Sequence, residues 1–536
     1  MYKVLVTDSI SDEGLVTIAE HPNFTIEKQV GLNPAQLIEV IGQYDALIVR
    51  SQTQVTAELI EHAGKLKVIA RAGVGVDNID VNAATKKGII VINAPGANTI
   101  AATEHTLALM LSLVRSIPQA HKVTASGKWD RNSFKGIELY KKTLGIIGMG
   151  KIGTEVAKRA KSFGMNILGF DPYLTAERAT KLGIKKATVD EIAQEADIIT
   201  LHTPLTNDTR NLVNEELLAK TKKGVRFINC ARGGIIDERA LIKALESGQV
   251  AGAALDVFEK EPYIDPELLS HPNIIVTPHL AASTVEAQEK VALEVSGEII
   301  DILETQTIRN AVNMPPITGE AQKKIKSFFL LGEQMGQLAV QLLKEAPDKI
   351  EVTYSGDLAA EDTDLLTRTI LRGILSWHFS DSVNLINVFH LLKEQGIPYL
   401  VQNNDASKGF ASYLELTLTR GKETARVGAT VLEGYGARIV KMNDYQVDVR
   451  PEEHLLYIKH TDIPGMIGKV GSVLGEHRIN IATMQVGRAE IGGDAIMVLT
   501  LDKKVDDTAK LSLELINGLK EVQVLDITAI ETAAPF

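Results

Sequence analysis

The sequence predicts an α/β protein built from two doubly wound parallel-sheet domains, one of them discontinuous. An α+β intervening domain and a ferredoxin-like βαββαβ module follow. Three observations carry this reading. Short, continuous β-branched runs alternate with helical patterns through the first three hundred residues, as expected for parallel strands buried on both faces. A glycine-rich turn, Gly148-Met149-Gly150-Lys151-Ile152-Gly153, stands between such a run and a helix. From residue 455 onward the order of elements changes to βαββαβ.

In chain order, residues 3–7, 46–49, 68–70 and 89–92 read as strands, with helical segments at 34–43 and 56–63. One long helical stretch, 99–126, leads into the second unit. There 143–147 is a strand, 152–163 a helix, and 166–170 a strand ending at Asp171. Further strands are expected at 198–201, 225–229, 252–256 and 274–277, joined by right-handed crossovers. The helix 284–303 is expected to return to the first domain, and Asn313-Met314-Pro315-Pro316 marks a break. Between 319 and 449 no chemical motif stands out. Alternating apolar residues at 413–419 and 424–432 predict antiparallel strands, with helices at 325–344 and 385–395. The last module is expected to hold strands 455–460, 480–486, 495–501 and 522–530, with helices 465–476 and 507–519. The resulting units are 1–98 with 284–316, then 99–283, 317–452 and 453–536.

Bulk properties narrow the function. A net charge of −11 argues against non-specific binding to nucleic acid or anionic membranes. It also means that an anionic substrate must be captured by local arginines. No segment approaches the ~20 apolar residues of a membrane span, and the opening Met1-Tyr2-Lys3-Val4-Leu5-Val6 reads as a strand and not as a signal peptide. The sole cysteine, Cys230, excludes an intrachain disulfide framework and cysteine-based metal sites, and no metal is expected. A cytoplasmic protein fits these features.

The glycine turn has a strand before it, a helix after it and an acidic residue about twenty positions on. Gly148 permits the tight turn, Gly150 lets backbone approach a pyrophosphate, and Gly153 allows close helix–strand packing. Helix-start N–H groups then face the phosphates. Asp171 is placed to accept from adenosine ribose hydroxyls and to repel a 2′-phosphate, which favours NAD over NADP. The plainer reading is a helix start with structural glycines and an N-capping Asp171.

Three stretches downstream carry the chemistry: Asn229-Cys230-Ala231-Arg232-Gly233-Gly234, Glu259-Lys260-Glu261-Pro262 and Thr277-Pro278-His279. Oxidation of a 2-hydroxy acid needs a fixed cation to grip the carboxylate, and Arg232 offers two parallel bonds. It needs a base for the hydroxyl proton, a task suited to His279, and a carboxylate to orient that imidazole, for which Glu261 is the candidate. Taken singly, each is more often a surface ion-pair residue, a solvated carboxylate or a turn; the ordered set at strand ends is what counts.

These motifs resemble the D-isomer-specific 2-hydroxyacid dehydrogenases over about residues 1–313. The whole chain resembles the long form of that family, in which an intervening domain precedes a C-terminal amino-acid-binding ACT domain. The resemblance implies NAD-dependent oxidation of 3-phospho-D-glycerate to 3-phosphohydroxypyruvate, the first step of L-serine biosynthesis. It implies a catalytic Arg232–Glu261–His279 set and cofactor contacts from Lys151, Ile152, Thr203, Cys230 and Asp256. Arg50 and Ser51 are similar to the family's phosphate-binding pair, and Asn98 matches a substrate-loop position. Arg131 is a candidate to reach the site from a neighbouring subunit. In the last module His460, Asp462 and Asn480 match the ligand positions of ACT domains, so L-serine is the expected effector, within a homodimer or homotetramer. The alternatives are a dehydrogenase for another D-2-hydroxy acid such as glycerate, or a non-catalytic NAD-sensing protein like the C-terminal-binding-protein corepressors.

Overall fold

The computed structural model describes residues 1–263, 266–317, 319–379, 382–406 and 408–527. Its first sheet has five parallel strands in the order Phe24–Lys28, Tyr2–Val6, Ala46–Val49, Val68–Arg71, Ile90–Asn93. The edge strand Phe24–Lys28 has no counterpart in the sequence reading. Only Phe24 of it is fully buried, and Thr25, Glu27 and Lys28 interrupt the apolar run that marks a central strand. Helix Pro34–Ile41 begins with a capping box between Asn33 and Gln36 and a proline in its first turn.

The second sheet has seven parallel strands: Ile274–Val276, Val250–Leu255, Val225–Asn229, Ile198–Leu201, Thr143–Ile147, Asn166–Phe170 and the two-residue Lys185–Lys186. Thr143–Ile147 is flanked by Ile198–Leu201 on one side and Asn166–Phe170 on the other. The glycine turn therefore leaves the sheet where the winding reverses, the usual ligand crevice of such sheets.

The single helix expected over 99–126 is two helices, Thr99–Arg115 and Ile117–Ala125. Ser116, at φ 51°, ends the first, and Pro118 in the opening turn of the second cannot extend a helix backwards. Helix Val285–Ile300 continues as a π-turn over Asp301–Thr305 and packs on the first unit. Ser296 donates to the Gly14 carbonyl at 3.2 Å. A side chain at Gly14 would overlap Ala292 Cβ, so glycine is what allows this approach.

Residues 319–449 are richer than their sequence suggests. Six strands form one mixed sheet, in the order Tyr399–Asn404, Lys349–Gly356, Ser412–Arg420, Glu423–Leu432, Gly436–Met442, Tyr445–Val449. The first pair is parallel and the remainder antiparallel. Helix Gly319–Leu343 crosses an unforeseen helix, Asp364–Phe379, and Arg372 meets Glu333 through two 2.7 Å bonds in the buried interface. The helix expected over 385–395 is shorter, Val388–Glu394. Asn384 holds this unit to the first domain, donating to the Gly88 carbonyl at 2.9 Å.

The last module has strand order Ile481–Arg488, Asp494–Leu501, His454–Thr461, Leu519–Asp526, with helices Met466–Glu476 and Asp507–Glu514. The expected extension of its last strand to 530 lies partly outside the described residues. One sheet face packs under its own helices through Leu456, Ile458, Met497 and Leu499. The other face, with Leu455, Tyr457, Ile496 and Val498, joins the core of helix Gly319–Leu343. No described helix is long and apolar enough to cross a membrane.

Candidate active site

Parallel strands all end on the same edge of their sheet, so the loops after them gather without further instruction from the sequence. Gly148, Asp171, Thr203, Arg232, Asp256 and His279 follow six of the seven strands of the second sheet, all but the short Lys185–Lys186. Asp8, Arg50 and Arg71 end or follow strands of the five-stranded sheet.

Each glycine of the turn has a separate steric reason. Gly148 has φ 99°, and an added Cβ would lie 2.5 Å from the His202 carbonyl oxygen. A Cβ on Gly153 would overlap the Gly148 carbonyl oxygen, so helix Lys151–Ser162 starts tight against the turn. A Cβ added at Gly150 meets nothing within 4 Å among the described residues; its face is open, as a backbone approached by a pyrophosphate must be. Asp171 accepts from the N–H groups of Met149 and Tyr173, both at 2.9 Å, which points the carboxylate at the turn. Among the described residues, the buried Thr203 hydroxyl, against Gly148, has no hydrogen-bond partner. Lys151 extends its ammonium toward Gly96 on the opposite unit. These residues fit a dinucleotide.

His279 and Glu261 are brought together: Nδ1 and Oε2 are 2.7 Å apart. A carboxylate only accepts, so Nδ1 donates to Glu261, and in the neutral ring that leaves the lone pair on Nε2. The other oxygen of Glu261 accepts from the Phe258 N–H at 3.0 Å. Burial pushes the Glu261 carboxyl up, but the hydrogen bond and charge of His279 and the Phe258 N–H outweigh it and hold it below the usual value. His279 itself has φ 56°, a left-handed backbone that most side chains avoid. Its N–H donates to the Asp256 carbonyl at 2.9 Å.

Asp256, expected from the resemblance to touch the cofactor, has another task. Its carboxylate is fully buried and accepts from His105, from the Thr277 hydroxyl at 2.5 Å, and from the N–H groups of Leu280 and Ala281 at 2.7 and 2.8 Å. Burial raises its pKa, and these donors more than reverse the effect. Asp256 therefore clamps the loop that presents His279, and no oxygen of it is exposed to a ligand. Cys230 is also buried, its thiol pushed up to about 12 by burial, which makes it an inert wall.

A cavity of about 690 Å³ opens beside the pair, lined by Arg50, Ser51, Arg71, Asn98, Glu261 and His279 among others. Arg71 was absent from the sequence reading. It ends strand Val68–Arg71 just as Arg50 follows Ala46–Val49, so the same strand-end rule would have found it. Burial, then the nearby Arg232 and Arg50, push its guanidinium down to about 10. Among the described residues, its Nε has no partner, and neither has the buried Oδ1 of Asn98. Asp8, also unforeseen, organises the loop around Arg50: it is buried and accepts from the Arg50 N–H at 2.6 Å. Two arginines, Arg50 and Arg71, thus line a cavity within an acidic chain, and Arg232 stands outside that lining. Arg232 donates to Asp77 at 3.0 Å. Arg131 is exposed and does not line the cavity within this chain.

The C-terminal positions do not converge in one chain. Thr461 pairs with Asp494 and Ile481 with Leu501, so Asp462 and Asn480 stand at opposite ends of strand Asp494–Leu501. Its eight residues put about 23 Å between those ends. Asn480 donates to Asp502 at 2.8 Å, while Asp462 accepts from Gly492 and Arg488, both at 3.4 Å. The His460 ring is buried, contrary to a direct role on the surface: Nδ1 lies 2.8 Å from the Thr461 carbonyl, and Nε2 has no partner among the described residues.

Residues 107–281 match the family described as D-isomer specific 2-hydroxyacid dehydrogenase, NAD binding domain. Residues 324–443 match the D-3-phosphoglycerate dehydrogenase intervening domain, and 454–514 the ACT domain. The D-3-phosphoglycerate dehydrogenase of Bacillus subtilis is 45% identical over 527 residues, 98% of this chain and 100% of that one. Its counterpart in Methanocaldococcus jannaschii is 44% identical over 528 residues, with the same coverage of 98% and 100%. Among solved structures, the TT0316 protein of Thermus thermophilus aligns with a TM-score of 0.54 at 34% identity, covering 58% of this chain and 99% of its own. D-lactate dehydrogenase from Aquifex aeolicus, complexed with NAD and lactic acid, aligns at 0.52 and 28% identity, with 58% and 99% coverage.

Proposed function

The chain belongs to the D-3-phosphoglycerate dehydrogenases, and we infer from this that it oxidises 3-phospho-D-glycerate to 3-phosphohydroxypyruvate with NAD, the first step of L-serine biosynthesis. One observation supports this reading above the others: the 2.7 Å His279–Glu261 pair opens onto a cavity lined by Arg50 and Arg71.

When bound, NAD supplies the hydride acceptor. Gly148, Gly150 and Gly153 would leave backbone free for its pyrophosphate, Lys151, Ile152 and Thr203 would help hold it, and Asp171 would accept from its ribose hydroxyls. Arg232 grips the substrate carboxylate and so presents C2 in one orientation. As the C2 hydrogen leaves as hydride, Nε2 of His279 takes the hydroxyl proton and the C–O bond becomes a carbonyl. Glu261 holds the imidazolium that results. Arg50, Ser51 and Arg71 take the phosphate, and Asn98 the substrate's polar edge. The mutual repulsion of these guanidiniums in a half-buried cavity favours a multiply charged acid over glycerate.

The domain roles follow: residues 1–98 and 284–316 bind substrate, 99–283 bind NAD, 317–452 intervene, and 453–536 regulate. L-serine is the proposed inhibitor, held between two copies so that Asp462 of one faces Asn480 of the other. That arrangement requires a homodimer or homotetramer, in which Arg131 completes a neighbouring site. The setting is cytoplasmic.

An initial-rate assay of NADH formation tests the reading, with 3-phosphoglycerate and with D-glycerate, each with and without L-serine. Preferential turnover of the phosphorylated acid is expected. Equal turnover of the two would favour a broader 2-hydroxyacid dehydrogenase, and no turnover of any 2-hydroxy acid would favour an NAD-sensing protein.

A further inference from the structure

Arg232 belongs to the seven-stranded unit and Asp77 to the five-stranded one, yet their side chains meet, Nε to Oδ2, at 3.0 Å. A second bond runs from Nη1 of Arg232 to the Ala231 carbonyl at 2.6 Å. Guanidinium has five N–H bonds. With Nε committed to Asp77 and one Nη1 proton to Ala231, the remaining Nη1 proton and the outward Nη2 proton form the terminal edge, while the other Nη2 proton lies on the side of Nε and Asp77. That edge can take a carboxylate through two parallel bonds. We propose that Asp77 is a positioning residue, which holds Arg232 from across the cleft so that the terminal edge of its guanidinium is set for the substrate carboxylate. The proposal rests on the assignment of Arg232 to that carboxylate.

A second observation agrees. The loop between Arg71 and Asp77 runs directly against the guanidinium: a Cβ on Gly75 would overlap Nη2 of Arg232 and stand 2.7 Å from Oδ2 of Asp77. The substrate-side unit therefore supplies both the wall and the counter-charge for a side chain of the opposite unit. Charge balance points the same way. Arg232 and Arg50 both repel Arg71, and Asp77 acts with Asp8 against that repulsion. Arginine is a long side chain with many rotamers. Unheld, its fork would have to be ordered by the substrate at every turnover.

The test uses the full-length protein. Asp77→Ala and Asp77→Asn are compared with wild type for NADH formation, NADH affinity by fluorescence, and thermal midpoint. Losing a charge-assisted hydrogen bond should lower kcat/KM for the 2-hydroxy acid about tenfold or more in Asp77→Ala. NADH affinity and thermal midpoint should stay at wild-type values. Asp77→Asn retains an acceptor oxygen and should recover part of the loss. In an Arg232→Ala background, Asp77→Ala should cost little more, because the partner is gone. Unchanged kcat/KM in Asp77→Ala would overturn the proposal. So would parallel losses of NADH affinity and thermal midpoint, which would reveal a mere tether between the units. The assay runs over a panel of 2-hydroxy acids. If wild type prefers another acid, the substrate reading falls and Asp77 is judged on that acid. If no acid is oxidised, both readings fall.

Discussion

The glycine turn allows two substitutions of the same size to be told apart by where the added methyl group goes. On Gly153 the new Cβ would overlap the Gly148 carbonyl oxygen and sit 3.1 Å from its carbon and 3.3 Å from Ile146 Cγ2. The obstacle is backbone, anchored by the Gly148 N–H bonded to the Phe170 carbonyl at 2.8 Å, so no side chain can swing aside. Overpacking of this kind costs about 1–3 kcal/mol. At ~2–4 °C per kcal/mol for a domain of this size, Gly153→Ala should lower the thermal midpoint by about 2–12 °C. On Gly150, at φ −70°, the same methyl meets nothing within 4 Å. Gly150→Ala should lose only about 1 kcal/mol or less, as an N-cap change. Its methyl would instead stand where the pyrophosphate approaches, and NADH affinity should fall at least about tenfold, a loss of ~1.4 kcal/mol. Differential scanning fluorimetry and NADH fluorescence titration read the two effects separately. Wild-type NADH affinity in Gly150→Ala would refute the assignment of the turn to the pyrophosphate. An unchanged midpoint in Gly153→Ala would refute the packing argument.

Three further outcomes are expected. His279→Ala should lower kcat by about 10²–10⁴ with NADH affinity retained; comparable loss of both in rate and binding measurements would remove its role as base. Arg50→Ala and Arg71→Ala should each raise KM for the phosphorylated acid and spare unphosphorylated analogues, which steady-state kinetics on paired substrates would show. Because burial drives the Cys230 thiol up to about 12, native protein at pH 8 should resist iodoacetamide. Unfolded protein should label fully, and mass spectrometry counts the adducts.

Much of the catalytic unit was readable because its signals are local. Buried parallel strands declare themselves as apolar runs, and the glycine turn needs only its neighbours in sequence. The residues at strand ends follow, since parallel strands deliver them to one edge. Edge strands were missed where they are half exposed, as at Phe24–Lys28, or two residues long, as at Lys185–Lys186. The six-stranded sheet was largely hidden because its stabilising contacts are distant in sequence. Arg372 and Glu333 are 39 residues apart, and Lys349–Gly356 pairs with strands on both sides.

The sequence by itself determined the kinds of groups available: three glycines before a helix, a carboxylate after the next strand, and an arginine, glutamate and histidine in order. Local backbone preference and burial period suffice for that. Only the tertiary structure decided which groups share a space. It turned Asp256 inward to clamp the His279 loop, added Arg71 to the cavity, joined Arg232 to Asp77 across two units, and set Asp462 and Asn480 at opposite ends of a strand. Charge and hydrogen bonding act over a few ångströms of space, whatever the distance along the chain.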